Sequence, residues 1–97
     1  MQRELEVHPE AIAEATAAKL WYRERSEIVA LAFQDEIDLA IERILEAPER
    51  WPRYIEDTRR YVMRRFPFSV VYYVGDETVQ ILAFAHGRQR PGYWKGR

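Results

Sequence analysis

Phe68-Ser69-Val70-Val71-Tyr72-Tyr73-Val74, then Gly75-Asp76-Glu77, then Thr78-Val79-Gln80-Ile81-Leu82-Ala83-Phe84-Ala85-His86, is the stretch that decides the fold. The first run is rich in β-branched and aromatic residues and apolar at both alternations. It reads as a central strand buried on both faces. Gly-Asp-Glu is a turn signal. The second run reads as a further strand. Period two would put Val79, Ile81, Ala83 and Ala85 on one face and Leu82, Phe84 and His86 on the other. Immediately upstream, Thr58 to Phe66 reads as a strand carrying Arg59, Arg60, Arg64 and Arg65. Pro67 cannot donate to a ladder, so it marks a bend, bulge or short turn. Three consecutive strands form a meander.

Further upstream the apolar period changes from 2 to 3.6. Val29, Phe33, Ile37, Ala40, Ile41 and Ile44 recur at three- and four-residue spacing, the stripe of an amphipathic helix from about Glu27 to Ala47. Asp35, Glu36, Asp38 and Glu42 mostly occupy its other side. Pro48 stops it, and Ser26 has the chemistry of its N-cap. Before Ser26, a helix from Pro9 to about Arg25 presents Ala11, Ala15, Ala18 and Tyr22 on one stripe, with Ile12 beside it. Small residues there let a second helix approach closely. Almost no loop separates the two helices, so they form an antiparallel hairpin. Arg3 to Val7 alternates as a short N-terminal strand, with Leu5 and Val7 on one face. The expected fold class is α+β: an N-terminal strand, then an antiparallel helical hairpin packed on a mainly antiparallel sheet of about four strands.

Ninety-seven residues with no linker, repeat or low-complexity segment read as one domain, residues 1–97. The chain has no cysteine, which removes disulfides, thiolate metal sites and cysteine nucleophiles and fits a reducing cytoplasm. The charged start Met1-Gln2-Arg3-Glu4-Leu5-Glu6 does not read as a signal peptide. No apolar run approaches the ~18 residues of a membrane span. The net charge of −1 conceals an asymmetry. Residues 1–50 hold six basic and twelve acidic side chains, and residues 51–97 hold nine basic and four acidic. The basic half could meet phosphate or an acidic partner, or be simply a solvated face.

No phosphate-binding glycine loop, metal-ligand cluster or Ser/His/Asp spacing is present. Neither a metal nor a cofactor is expected. The group with most chemical potential is His86-Gly87-Arg88-Gln89-Arg90, followed by Pro91-Gly92-Tyr93-Trp94. If the backbone stays extended, His86, Arg88 and Arg90 share one side. An imidazole that titrates near neutrality could then move a proton while guanidinium groups hold a phosphodiester. Tyr93 and Trp94 could stack on an unpaired base. The bland reading carries more weight. It makes His86 a half-buried structural residue beside Leu82 and Phe84, Trp94 an anchor for the tail, and the arginines a solvated or partner-binding edge.

These segments, together with Trp21-Tyr22, the run Phe33-Gln34-Asp35-Glu36-Ile37-Asp38-Leu39-Ala40-Ile41 leading to Ile44 and Pro48, the run Arg64-Arg65-Phe66-Pro67-Phe68, and the run Ala85 to Trp94, resemble the RelE/ParE superfamily of bacterial toxins in order and over nearly the whole chain. The resemblance implies the toxin of a type II toxin–antitoxin system, acting in the cytoplasm. Its cognate antitoxin would hold it inactive, covering the basic sheet face or the outer side of the hairpin. RelE-like members cut mRNA in the ribosomal A site, whereas ParE-like members poison DNA gyrase, and fold alone does not choose. Ribonuclease members often carry an arginine early in the penultimate strand, where this chain has Ser69. Arg88 matches their arginine after the last strand. Trp94 stands near the place of a C-terminal tyrosine, with Tyr93 one residue earlier. These departures favour a ParE-like toxin acting through gyrase. The alternative is a metal-independent, ribosome-dependent endoribonuclease with His86 and Arg88 as catalytic residues. Arg60, Arg64, Arg65, Arg90, Tyr93 and Trp94 are the expected target- or nucleic-acid-binding residues.

Overall fold

The computed structural model describes residues 2–97. Strand β1 (Glu4–Val7) leads into helices α1 (Pro9–Arg25) and α2 (Glu27–Glu46), and strands β2 (Thr58–Val62), β3 (Phe68–Val74) and β4 (Thr78–His86) follow. The sheet order is β1-β4-β3-β2. The meander β2-β3-β4 is antiparallel, and β1 joins β4 in parallel at one edge. The expected α+β architecture is therefore present: a helical hairpin packed on one face of a mainly antiparallel sheet.

Local chemistry sets the helix boundaries. His8 caps α1, its Nδ1 accepting the Glu10 N–H at 3.1 Å, and Pro9 occupies the first turn, where a missing donor costs nothing. Ser26 serves both helices. Its N–H closes α1 on the Tyr22 carbonyl, and its Oγ accepts the Val29 N–H at 3.3 Å to open α2. One extended residue thus turns the chain back. The main core lies between hairpin and sheet, built on Ala11, Phe33, Ile37, Ala40, Ile44, Val70, Tyr72 and Ile81. Burial pushes the Tyr72 phenol up to about 12, and its hydroxyl donates to the Pro48 carbonyl at 2.6 Å. A second, smaller cluster lies on the opposite sheet face, where Val71, Leu82 and Ala83 pack with Trp94.

Three features depart from the sequence reading. First, β4 does not keep period two. Val71 pairs with Ala83 but Tyr72 pairs with Ile81, so Leu82 is an extra residue, a β-bulge. The bulge exchanges the faces: Val79 and Ile81 meet the helices, and beyond it Phe84 does so while Ala83 and Ala85 turn to the second cluster. Second, β2 ends at Val62 rather than Phe66. Glu36 of α2 accepts the N–H groups of Arg64 at 2.8 Å and Arg65 at 3.0 Å, so this backbone turns toward the helix instead of continuing the ladder. Third, Glu36 is only 5% exposed, not on the solvent side of α2. Burial pushes its carboxyl up, but the hydrogen bonds from Arg65 and Arg64 outweigh that and hold it below the usual carboxylate range.

Candidate functional site

A groove of about 780 Å³ lies between α1 and the end of the sheet. Ala17, Ala18, Trp21, Tyr22, Phe68 and Phe84 give it an apolar lining, and Glu14, His86, Arg88 and Gln89 supply its polar groups. The alanines keep the α1 side shallow, and the bulge at Leu82 brings Phe84 to this side. Trp21 is 52% exposed, an unusual position for so large an apolar ring, and the Arg25 guanidinium lies 3.6 Å from its centre.

The structure brings His86 and Arg88 to this groove, but not as an extended run. After β4 the chain turns back: the Gln89 N–H reaches the His86 carbonyl at 3.0 Å, and the Gly87 N–H reaches the Pro67 carbonyl at 2.8 Å. His86, Arg88 and Arg90 therefore do not form one extended row, and Arg90 is exposed without lining the groove. The His86 ring stands edge-on to Phe68, and its Nδ1 accepts the Arg88 N–H at 3.0 Å. That bond places the single proton of the neutral ring on Nε2. The lone pair a general base would use is already engaged in holding the turn. The Gln89 side chain closes the same turn by accepting the His86 N–H at 2.8 Å.

A cluster around Glu14, missed by the sequence reading, borders the groove. β1 stops at Val7, opposite Ile81, so the later part of β4 has no strand on that side. Side chains satisfy its backbone instead. Glu14 Oε1 accepts the Phe84 N–H at 3.1 Å, and Arg97 donates to the Leu82 carbonyl at 3.0 Å. Glu14 also receives the Arg97 guanidinium through both carboxylate oxygens and the Tyr93 hydroxyl at 2.6 Å. Burial, with the Glu14 bond and charge, pushes the Tyr93 phenol well up, and the Glu14 bond raises the Arg97 guanidinium. The only signal in the sequence was an acid at the margin of the Ala11–Ala15–Ala18 stripe.

The remaining predicted residues lie elsewhere. Trp94 is 3% exposed and stacks on Tyr54 with ring centres 5.5 Å apart, so it anchors the tail and does not present a face to a nucleobase. Gly92, at φ +85, provides the left-handed bend before it. Tyr93 is committed to Glu14. Arg60 sits on the sheet face away from the helices, beside Ser69, whereas Arg88 is on the helix side. Arg64 and Arg65 flank Glu36 at the edge of α2, and Arg65 Nε pairs with Glu36 Oε2 at 2.9 Å. The expected binding residues are thus spread over three surfaces rather than gathered into one. Among the described residues no group of His, Cys, Asp and Glu could hold a metal ion, and no helix is long and apolar enough to cross a membrane.

Comparison with known proteins agrees with this architecture. One structure from the chromosomal ParDE toxin–antitoxin system of P. aeruginosa superimposes with a TM-score of 0.76 at 20% identity, covering 88% of this chain and 96% of that one. The free E. coli toxin RelE, as a double arginine-to-alanine mutant, superimposes less well, with a TM-score of 0.62 at 18% identity, covering 91% of this chain and 86% of that one. At these identities the likeness is one of fold. No curated protein sequence matches. The model of the ParE toxin of the type II toxin–antitoxin system parDE matches residues 5–91. The chain therefore belongs to the ParE toxin family, within the RelE/ParE superfamily of type II toxin–antitoxin toxins.

Proposed function

We propose that this ParE-like toxin arrests growth by binding DNA gyrase rather than by cutting RNA. On this reading residues 1–97 act as one domain in the cytoplasm, and a cognate antitoxin holds the chain inactive. One observation supports the choice of mechanism: the basic residues that would hold RNA are not gathered around His86 and Arg88. His86 has its Nδ1 lone pair engaged by the Arg88 N–H, Ser69 stands where an arginine was expected, and Arg60 and Arg88 lie on opposite sides of the sheet. A protein that acts by binding needs only a stable surface, and the Trp21 groove supplies one. The family's parDE designation and the ParDE structure from P. aeruginosa support an antitoxin as the controlling partner.

The second reading is a RelE-like ribonuclease, favoured by one observation: His86 and Arg88 border the same groove. Pulse-labelling after induction without antitoxin separates the two. An early fall in thymidine incorporation supports gyrase. An early fall in amino-acid incorporation, with DNA synthesis intact, supports the ribosome.

A further inference from the structure

Arg60 is unlike the other half-buried arginines. Arg3, Arg43, Arg59 and Arg97 each donate to an acceptor within the protein. Among the described residues nothing accepts from the Arg60 guanidinium, which lies 4.2 Å from the centre of the Tyr54 ring. That ring in turn stacks on the buried Trp94. The result is a partly desolvated cation held in place by an aromatic platform, with its donors unused. Stacking on Tyr54 restricts the long side chain, so an incoming acceptor meets a guanidinium that has already lost much of its rotamer freedom.

Beside it is a pocket of about 130 Å³, bordered by Ser69, Ala85, Gln89 and Trp94. At ~30 Å³ per liquid water this holds about four waters, room for a carboxylate or phosphate head but not for a nucleotide. Ser69 brings a hydroxyl, and the Gln89 amide, whose oxygen accepts the His86 N–H and whose nitrogen also meets the Tyr93 hydroxyl, keeps one further N–H. Arg60 is the only arginine or lysine among the described residues that line it, and no Asp or Glu lines it.

We propose that this pocket seats the carboxylate of an Asp or Glu side chain from an acidic segment of a bound protein. Nucleic acid is the poorer occupant because its affinity comes from several cations tracking several phosphates. The lining of this pocket holds one arginine and no lysine, and Arg65, on a different surface, is paired with Glu36. An arginine fork on an aromatic platform matches the composition of protein–protein anchor points. The inference rests on the protein-binding reading only for the source of the carboxylate. The pocket's own preference is measurable in the isolated chain, so its failure leaves the gyrase reading to a separate test.

The test is an NMR titration of the ¹⁵N-labelled chain with glutarate and with inorganic phosphate, following the Nε–H signals of Arg60, Arg88 and Arg90. Arg60 is expected to saturate with glutarate at a concentration at least about tenfold below that for the exposed Arg88 and Arg90. Phosphate should bind no more tightly than glutarate, and Arg60→Lys, which keeps the charge but loses the fork, should abolish the accompanying Ser69 amide shift. An Arg60 response no stronger than that of Arg88 and Arg90 would overturn the proposal. So would tighter binding of phosphate, which would return the pocket to nucleic acid, or a Ser69 shift that survives in Arg60→Lys.

Discussion

The Glu14 carboxylate holds the Arg97 guanidinium through two bonds of 3.0 Å, joining the first helix to the C-terminal tail across 83 residues of sequence. Both side chains are largely buried, and the pair also satisfies β4 backbone groups that β1 is too short to reach. Removing one partner leaves the other charge and a β4 backbone group without their bonds. Glu14→Gln or Arg97→Met should each destabilise the chain by about 2–4 kcal/mol, and the double variant should cost clearly less than the two together. Urea denaturation of the three variants measures this. Additive losses would mean that the two side chains act independently.

Glu36 gives the chain an acid-sensitive contact. Its folded-state carboxyl lies below the ordinary carboxylate range, so over the interval between the two values the unfolded chain carries more proton than the folded one. The contribution is full above the ordinary carboxylate pKa and is lost as pH falls through the depressed folded value. Glu36→Gln should flatten that part of the stability–pH curve and lower stability at neutral pH. An unchanged acid slope in Glu36→Gln would assign the acid sensitivity to other carboxylates.

Two tryptophans should behave oppositely. Trp94 is enclosed by Tyr54, Val71 and Ala83, so Trp94→Ala should cost about 3–5 kcal/mol and lose activity through unfolding. Trp21 is half-exposed on the groove, so Trp21→Ala should cost roughly 1 kcal/mol or less while weakening binding to a protein partner. Melting temperatures compared with growth arrest and antitoxin binding check both. A Trp21→Ala chain that melts as early as Trp94→Ala would make the groove part of the core.

Arg88 separates binding from catalysis. Its side chain is exposed, so Arg88→Ala should leave stability within about 0.5 kcal/mol of the parent. Growth inhibition should persist if the chain acts by binding. A loss of about a hundredfold or more in a folded Arg88→Ala chain is the size expected when a charge-stabilising catalytic group is removed, and would favour the ribonuclease.

The helices and the meander were legible because single residues punctuate them: Pro9, Ser26 and Pro48 bound the hairpin, and Gly75 follows the apolar run Val70 to Val74. The Leu82 bulge was not legible. Ile81-Leu82-Ala83-Phe84 is apolar throughout, so no polar residue marks where the alternation changes face. Glu36 was misread because a carboxylate beside an apolar stripe looks solvated until a distant turn supplies backbone donors. The family resemblance was carried by ordered segments along the chain. The dispersal of Arg60, Arg88 and Arg65 over separate surfaces depended on the bulge and on the turns after Val62 and His86, which period-two reasoning passes over.

The most direct test of the account is a gyrase assay with the purified chain. Gyrase, relaxed plasmid and ATP are incubated with increasing toxin, and supercoiling and trapped DNA cleavage are read on a gel. The account predicts lost supercoiling with accumulation of cleaved complexes, retained by Arg88→Ala and reversed by antitoxin. Unimpaired supercoiling at a large excess of folded toxin, with mRNA cleaved in a translation extract, would contradict it.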